Sequence, residues 1–491
     1  MQLKDSIKFL AKDSAVYGLA GAITKFLAIF TAPILTRVLT KGEYGSINVI
    51  TSYLSVFAAF LILGQDSSIA RFFYDKGEDK EYRIKIASIG FFIQVIATVI
   101  MIILFFIFGD NVGNIIFDNN KELVYYWKLG IIYVPASMLM SFSNNIFKWT
   151  FKKNKYLLIT LGNGIFNVIL TITLVVVFKY RILGVIFSLV ISSNIFALLG
   201  LFLNREYISL KSLGEKDSFK IFKEMLKYGA PFTIVMIISM LMPSIDRTFL
   251  LRYVSIETIG EYAVSTRVSS LLLIVVSAFQ IAFGPYLYSI WKNDDAPKII
   301  GDLFRIYFLL LTVFAVLGVV FGDIIIYLFA SMKYESAILV IPLLMLAVII
   351  EGLVQFTTIG ISWSKKTYYF LIVQVIGLIS IFSFNFLLTQ KFGVFGATMS
   401  LLLSRLIMNI IYYFISKRYY PLRYEFMKIF LIFLFSIFAY GASIYNYYDK
   451  SLFTYLLKYF IMILFFVLSF RFGFNKDERN NVILFIKNIL G

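Results

Sequence analysis

Long runs of apolar residues dominate the chain, and short polar stretches separate them. Each run is long enough for a helix to cross the hydrocarbon core of a bilayer, which takes about 20 residues. The runs are continuous and lack the alternation of apolar and polar residues that marks the strands of a membrane barrel. The pattern therefore predicts an all-α polytopic membrane protein with fourteen transmembrane helices, at 15–37, 44–64, 84–108, 123–147, 156–178, 182–203, 229–251, 260–284, 303–329, 336–360, 367–388, 393–415, 426–447 and 453–472.

The positions of Lys and Arg predict the orientation of these spans. Cytoplasmic connections carry an excess of both residues. With the N-terminus inside, the inner connections and the two ends of the chain hold most of the cations. We therefore expect both termini to be cytoplasmic, in a multi-pass protein of the cytoplasmic membrane. The net charge of +18 then reflects topology and attraction to anionic membrane lipids, and we expect no nucleic-acid partner.

The two halves of the chain resemble each other. The pattern Lys-x4-Gly-x3-Ser-x3-Ser at 179–192 in span six recurs at 391–404 in span twelve, 212 residues later. Likewise Tyr-Gly at 17–18 recurs at 228–229, and Gly-Glu-Tyr at 42–44 recurs at 260–262. Since the offset contains an even number of crossings, the pattern predicts two pseudo-symmetric six-helix lobes of equal orientation. Transporters built from such repeats place the substrate between them near the midplane.

The repeat also predicts the domain organisation. We expect an N-lobe of spans one to six at 1–203, a cytoplasmic linker at 204–228, a C-lobe of spans seven to twelve at 229–415, and spans thirteen and fourteen with a cytoplasmic tail at 416–491. Within the linker, residues 218–227 place apolar side chains on one side and lysines on another. This segment is interpreted either as a short helix on the inner leaflet or as a plain charged linker.

A few charges lie deep inside the predicted spans. Lys25, Arg267 and Arg405 are cations at such positions, and Glu351 is a carboxylate in the middle of span ten. A charge at the bilayer centre costs about 3 kcal/mol on insertion scales, so such residues usually face a cavity. Glu351 could pair with one of the cations, and the remaining positive charge favours an anionic ligand, especially a diphosphate. The alternative is a network of ion pairs that ties helices together.

Other charged residues near span ends are candidates for gating or ion coupling. Asp246 and Arg247 are adjacent near the outer end of span seven, so their side chains should point in different directions. They could hold an outer gate shut or simply lie at the membrane interface. Asp66 and Arg71 flank the inner end of span two, where an inner gate and helix capping are equally consistent with the sequence.

The composition excludes several chemistries. The chain has no cysteine and no histidine, which removes thiolate chemistry and the commonest general base and metal ligand. It has no phosphate-binding loop of the G-x4-G-K-[ST] type, so it is not its own ATPase. No nucleophile–base pair stands out, and no catalytic residue, metal site or cofactor is expected. We therefore expect a protein that is not an enzyme.

Five short motifs carry a resemblance to a known family: Gly42-Glu43-Tyr44-Gly45, Ser67-x3-Arg71-Phe72, Tyr228-Gly229-Ala230-Pro231, Ser244-Ile245-Asp246-Arg247 and Gly260-Glu261-Tyr262. With the span layout, over roughly residues 10–470, the chain resembles the polysaccharide-biosynthesis (O-antigen, Wzx-like) flippases of the multidrug/oligosaccharidyl-lipid/polysaccharide exporter superfamily. The resemblance implies two six-helix lobes around a cationic cavity that work by alternating access.

The resemblance also implies a substrate. Wzx-like proteins move undecaprenyl-diphosphate-linked oligosaccharides from the inner to the outer leaflet for surface polysaccharides such as O-antigen or capsule. Lys25, Arg267 and Arg405 fit a diphosphate-binding role on depth and charge alone. Coupling to H⁺ or Na⁺ is common in the superfamily, and Glu351 and Asp246 are the carboxylates to test for it. A polysaccharide polymerase and assembly proteins are the implied protein partners.

Rival functions remain open at the level of sequence. A peptidoglycan lipid II flippase would share the superfamily, fold and span count. A multidrug exporter of organic cations is disfavoured by the excess of deep cations, since like charges repel. A sugar polymerase or a scaffold would belong to another class, and the long outer loop with paired arginines expected of a polymerase is missing.

Overall fold

The structure, a computed structural model, describes residues 20, 23–24, 27, 31–77, 79–290, 293–475 and 478–480. Within these ranges the chain forms helices and short connections, without any strand. The helices are α1 Lys41–Ile62, α2 Gln65–Phe73, α3 Lys80–Ile116, α4 Lys121–Gly130, α5 Tyr133–Trp149, α6 Lys153–Ile172, α7 Arg181–Asn204, α8 Ser218–Tyr253, α9 Ile256–Ser270, α10 Leu272–Ile290, α11 Ala296–Val320, α12 Gly322–Phe329, α13 Ile341–Thr357, α14 Ile359–Ser364, α15 Tyr368–Phe384, α16 Gln390–Lys417, α17 Phe426–Tyr448 and α18 Leu452–Gly473.

Twelve helical segments of the described chain are long and apolar enough to cross a membrane, which confirms the all-α, multi-pass membrane class. Each predicted span from two to fourteen overlaps one of them, with spans eleven and twelve sharing Tyr368–Lys417. The backbone of that segment leaves the helical region at Gly393 (φ 54°, ψ −127°), so the segment contains two helices. Span one falls largely outside the described residues. The total of fourteen and the orientation stay predictions.

The chain divides into two compact units. Unit 1 comprises Met1–Gly260 and Phe370–Ala397, and unit 2 comprises Glu261–Tyr369 and Thr398–Gly491. Each unit is described separately below. The boundaries of the N-lobe, linker, C-lobe and C-terminal segment stay predictions.

Unit 1 has a hydrophobic core around α2 and α3. Side chains from α2 and α3 pack with α5 and with the first turns of α8, and the buried members include Phe73, Ile86, Phe142 and Met225. The segment 218–227, which the sequence assigned to a linker, is helical and forms the first turns of α8 without a break. Its Met225 lies in the core, so this segment is a packed part of unit 1 and not a separate helix on the leaflet.

The start of α1 is fixed by its own sequence. Thr40 and Glu43 form a capping box, in which the Thr40 hydroxyl accepts from the Glu43 N–H and the Glu43 carboxylate accepts from the Thr40 N–H. Glycines then allow close contact with the start of α9. A Cβ atom at Gly45 would lie 2.4 Å from the carbonyl oxygen of Ile256, and one at Gly260 would lie 2.1 Å from that of Lys41. Gly260, in the second Gly-Glu-Tyr motif, and Gly45, directly after the first, therefore form a helix contact that only glycine permits.

The structure reproduces the sequence repeat at one distinctive feature. A π-helical turn at Thr173–Val177 precedes α7, and a second at Asn385–Thr389 precedes the helix after span eleven. The two turns begin 212 residues apart, which is the offset of the sequence repeat. Two further equivalent positions, Arg181 (φ 48°) and Gly393 (φ 54°), share a left-handed backbone. The internal repeat is therefore present in the backbone as well as in the sequence.

Unit 2 is organised around α11. This helix contacts α10, α12 and α13, and the two C-terminal helices α17 and α18 pack on it as well. Its buried face is mostly apolar and includes Phe304, Leu311, Val316 and Val320. The last two helices are thus integral to the core of unit 2.

Candidate functional site

Arg405 and Glu351 form an ion pair inside unit 2. The Nη2 atom of Arg405 on α16 lies 2.9 Å from the Oε2 atom of Glu351 on α13. The expected pairing of Glu351 with a deep cation is thereby confirmed. Glu351 keeps 44% of its side-chain surface exposed, against 20% for Arg405. A carboxylate uncovered in the middle of a span requires water or a ligand, because hydrocarbon cannot solvate it.

Polar contacts on the C-terminal side of Arg405 hold α16 to α13 and α14. The Asn409 side chain, one turn after Arg405, donates to the Ile350 carbonyl at 3.0 Å and accepts from the Thr357 hydroxyl at 3.0 Å. Farther along, the Ser416 hydroxyl accepts from the Gly360 N–H. These contacts fix the register of the two helices. The guanidinium and carboxylate are therefore presented from a rigid frame.

Arg267 lies in the last turn of α9, where the predicted span eight is interrupted. The helix stops at Ser270 and α10 starts at Leu272, with Leu271 between them. The Ser270 hydroxyl donates to the Arg267 carbonyl at 2.6 Å, which satisfies one carbonyl freed by the break. Arg267 itself is half-buried in unit 2. Interrupted helices near the membrane midplane are a common way for transporters to build substrate sites.

Asp246 and Arg247 are buried on α8 and point to different neighbours, as the sequence predicts. The Asp246 carboxylate accepts from the Asn385 amide at 2.9 Å, and the Arg247 Nε donates to the Asn48 side chain at 2.9 Å. Asn385 sits in the second π-helical turn and Asn48 on α1. We call this set of residues, with Tyr53 and Thr248, the outer polar cluster; the Tyr53 and Thr248 hydroxyls are also bonded. It joins α8 to α1 and to the π turn within unit 1.

Asp66 and Arg71, which the sequence placed together as a candidate inner gate, make separate contacts. Asp66 faces α5, where the Ser141 hydroxyl donates to its carboxylate at 3.4 Å and the Lys148 ammonium interacts with it electrostatically. Arg71 pairs with Asp75 one turn later, and 56% of its side chain is exposed. Lys148 is a partner that sequence reasoning missed. It lies 82 positions from Asp66, with no spacing signal to connect them.

Lys25, the third predicted ligand cation, lies outside the described residues. The structure thus places Arg267, Arg405 and Glu351 in unit 2, and Asp66, Arg71, Asp246 and Arg247 in unit 1.

A second charged centre in unit 2 was not predicted. Arg305 near the start of α11 is fully buried, and its guanidinium pairs with Asp302 at 3.1 Å, Glu425 at 2.6 Å and Glu478 at 2.5 Å. These carboxylates come from the start of α11, the start of α17 and the segment after α18. A buried arginine with three partners ties the ends of three helices together. Because the partners are far apart in sequence, no local pattern could reveal it.

The described residues contain no group of three or more acidic side chains arranged to hold a metal ion. The charged side chains of the site are instead arranged as isolated pairs and small hydrogen-bonded clusters.

Comparison with known proteins gives the family. The sequence model of a family described as polysaccharide biosynthesis protein matches residues 10–291, more than half of the chain. The chain belongs to this family. It is also 23% identical over 301 residues to an uncharacterized membrane protein of Haemophilus influenzae, a match that covers 60% of this chain and 69% of that protein.

Solved structures of low sequence identity share the fold. One is the lipid II flippase MurJ in an inward closed conformation, with a TM-score of 0.70 at 16% identity, covering 93% of this chain and 98% of that one. Another is an inward-facing multidrug resistance MATE transporter of the MOP superfamily, with a TM-score of 0.61 at 16% identity, covering 82% and 94%. The chain therefore has the MurJ/MATE fold, which agrees with the fold expected from the resemblance.

Proposed function

We propose that the protein is a flippase that moves undecaprenyl-diphosphate-linked oligosaccharides from the inner to the outer leaflet of the cytoplasmic membrane, for surface polysaccharide assembly. Membership of the polysaccharide biosynthesis family and a fold shared with MurJ support this proposal. The observation that carries it is the Arg405–Glu351 pair, a mid-span arginine whose counter-ion is itself nearly half uncovered. Such a cation can exchange its carboxylate for the oxygens of a diphosphate.

The exchange gives a simple cycle for substrate binding. In the empty protein Glu351 neutralises Arg405, which limits the cost of a buried charge. An incoming diphosphate offers the guanidinium a bidentate partner that arginine binds well. Arg267, at the interrupted helix, and Lys25 supply the further positive charge that a diphosphate needs. On release of the lipid, Glu351 returns to Arg405.

The same exchange provides a place for ion coupling. When the diphosphate takes Arg405, Glu351 loses its counter-ion and becomes a site for H⁺ or Na⁺. Asp246 is the second candidate, because it is a buried carboxylate on α8 that accepts a hydrogen bond from Asn385. No cofactor is involved in this scheme, and the driving force is the ion gradient.

A polar path across the membrane explains why a protein is needed at all. The lipid tail can stay in the bilayer, whereas the sugar hydroxyls and two phosphates would be left unsatisfied in hydrocarbon. We propose that they pass through a wet, positive cavity by alternating access. The outer polar cluster on α8 acts as the outer gate, and the polar contacts of Asp66 contribute to the inner one.

Reconstitution tests the proposal. Labelled undecaprenyl-diphosphate oligosaccharide is added to proteoliposomes, and the fraction that reaches the opposite leaflet is measured with and without H⁺ and Na⁺ gradients. Wild-type protein should accelerate flipping, and Arg267→Glu and Arg405→Glu should both abolish it. The matched control is Arg418→Glu, an exposed arginine just after α16. Full flipping by both interior reversals would rule out the ligand role.

A lipid II flippase is the second candidate, because the MurJ fold covers nearly the whole chain. The same assay with lipid II in place of the oligosaccharide lipid separates the two. In cells, loss of a lipid II flippase should be lethal, whereas loss of an oligosaccharide flippase should remove only surface polysaccharide. If the protein is an oligosaccharide flippase, a polysaccharide polymerase and assembly proteins are its proposed partners.

A multidrug exporter and an enzyme receive less support. Organic cations would be repelled by Arg267 and Arg405, although the MATE fold alone would allow such substrates. Transport of ethidium by the reconstituted protein, unchanged in Arg405→Glu, would favour the exporter. We propose a transporter without catalytic residues, and the substrate lipid should therefore be recovered chemically unchanged after flipping.

A further inference from the structure

A groove in unit 1 lies directly beside the outer polar cluster. Its volume is about 580 Å³, and α1, the end of α3, α8 and the region of the second π turn surround it. Most of the lining is apolar or aromatic, including Phe60, Ile115 and Phe386, and each of these three side chains is more than 40% exposed. The groove is therefore open to the surroundings of the helices, which in a membrane are lipid chains.

One end of this groove carries a cation. Arg252 in the last turn of α8 belongs to the lining and is exposed. No carboxylate among the described residues forms an ion pair with it. Thr248 lies one turn earlier on the same face and also lines the groove. An apolar groove that ends at a guanidinium is complementary to a lipid chain that carries a phosphate headgroup.

A neighbouring groove provides a contrast within the same unit. It has a volume of about 630 Å³, shares Phe57 and Phe60 with the first groove, and runs between α1, α3 and α4. Lys128, which follows the lining residue Trp127 in the sequence, pairs with Asp110 at 2.8 Å. This second groove can accept any apolar chain, but it offers no unneutralised charge to a phosphate.

We propose that the Arg252 groove holds the polyprenyl chain and diphosphate of the transported lipid on the outer side, so that the product leaves between α1 and α8. This inference rests on the proposed function, since it takes the same substrate. The groove is continuous with the outer polar cluster, and this position favours the transported lipid over bulk phospholipid as its occupant. Tyr53 and Thr248 belong both to the outer polar cluster and to the groove wall. A lipid in the groove would therefore touch the Tyr53–Thr248 contact, which is part of the proposed outer gate.

Photo-crosslinking tests the groove. p-Benzoylphenylalanine replaces Phe386, and the full-length protein is reconstituted in phosphatidylethanolamine/phosphatidylglycerol vesicles with radiolabelled undecaprenyl diphosphate. Ultraviolet light should attach the label, and unlabelled undecaprenyl diphosphate should compete whereas extra phosphatidylglycerol should not. Arg252→Gln should lower crosslinking about tenfold, as expected for loss of a charge-assisted contact. Lys121→Gln, an exposed cation at the start of α4, is the matched control and should change nothing.

A second pair of variants tests the apolar part. Leu241→Trp fills the groove and should also reduce crosslinking, whereas Phe106→Trp, at an 85% exposed position on α3, should not. Monodisperse elution of each variant shows that it is folded. Equal competition by phosphatidylglycerol, or wild-type crosslinking in folded Arg252→Gln, would overturn the proposal.

The groove and the proposed function fail in different ways. Specific crosslinking together with no flipping of the oligosaccharide lipid would leave the groove standing and reject the flippase. Normal flipping together with no specific crosslink would reject the groove alone. Arg405→Glu provides the internal check, because it should abolish flipping and still crosslink.

Discussion

Arg405 and Arg305 differ in how exposed their ion pairs are, and this difference separates a functional role from a structural one. The Arg405–Glu351 pair is partly open, with 20% of the Arg405 side chain and 44% of the Glu351 side chain exposed. Arg305, in contrast, has no exposed side-chain surface and three carboxylate partners. Removal of one partner from a buried pair costs about 3–5 kcal/mol. We therefore interpret Arg305 as a structural centre and Arg405 as a functional one.

The first prediction follows from this contrast. Arg405→Gln should leave the apparent unfolding temperature in detergent close to that of the wild type, and should abolish flipping. Arg305→Gln should lower the unfolding temperature strongly, because it removes the buried guanidinium that joins Asp302, Glu425 and Glu478. Thermal scans of the two purified variants measure the difference. Equal destabilisation by both would contradict the division of roles.

A second prediction concerns Asp246, which has 1% of its surface exposed and accepts from Asn385. Asp246→Leu leaves the Asn385 amide without that acceptor and should cost about 1–3 kcal/mol. Asp246→Asn retains an acceptor oxygen, so it should fold nearly as well while losing the negative charge. Unfolding temperature measures the first effect, and the dependence of flipping on an ion gradient measures the second. An unaltered gradient response in Asp246→Asn would remove this carboxylate from coupling.

At the residue scale, the sequence predicted contacts only where the depth of a charged residue within a span was sufficient to indicate one. The depth of Glu351 and of the three cations predicted that Glu351 could pair with one of them, and the structure identifies Arg405 as that partner. The links between Asp66 and Lys148, and between Arg305 and Glu478, join distant segments. Only the folded chain brings them together, so one sequence could not show them.

At the scale of elements, a close helix contact explains two glycines of the family motifs. Gly45 and Gly260 lie where α1 and α9 meet, and a side chain on either would collide with backbone carbonyls. In the sequence these motifs indicate only a resemblance to a family, whereas the contact gives both glycines a physical role.

A third prediction tests that contact. Gly45→Ala should destabilise the protein, because the new Cβ would lie 2.4 Å from a carbonyl oxygen. The matched control is Gly441→Ala on α17, where a Cβ would meet nothing within 4 Å. Alanine favours a helix over glycine by up to about 1 kcal/mol, so the control should be neutral or more stable. Melting of the two variants in the same detergent compares them, and equal stability would refute the packing role.

The internal repeat shows which features of the helices a sequence pattern can predict and which it cannot. Matching residues 212 apart predicted two related halves, and the paired π-helical turns carry the same offset. The π geometry is not visible in the sequence, because apolar residues continue through most of both turns and hydropathy does not distinguish a π turn from an α-helix.

At the scale of the molecule, alternating access requires contacts that can open. Within unit 1, α8 is held at one end by the outer polar cluster. At the other end the Ser68 hydroxyl donates to the Met225 carbonyl at 2.6 Å, and Gly64 faces Gly229 closely. Both ends of α8 are thus tied to the continuous segment that α1 and α2 form. A transport cycle would have to release one end at a time.

A fourth prediction uses the absence of cysteine from the chain. Ser68→Cys combined with Met225→Cys introduces one thiol pair at the end predicted to face the cytoplasm. Oxidation should join α2 to α8 and stop flipping, and a reductant should restore it. Each single variant is the control, since it cannot crosslink within the chain. Undiminished flipping with a formed disulfide would show that this contact does not need to open.

For the whole molecule, composition and hydropathy predicted the membrane class and the fold, and comparison confirmed the family. Long apolar runs fix helices strongly because every backbone polar group must be satisfied within the membrane. Hydropathy does not predict the substrate, because substrate specificity depends on the arrangement of a few side chains.

The most direct test of the account is flipping of undecaprenyl-diphosphate oligosaccharide by Arg405→Glu in proteoliposomes, beside wild type and Arg418→Glu. We expect Arg405→Glu to insert and fold but to flip no faster than empty vesicles, because it places two carboxylates where the diphosphate should bind. Arg418→Glu should flip like the wild type. Flipping by Arg405→Glu at the wild-type rate would contradict the central claim that this arginine receives the lipid diphosphate.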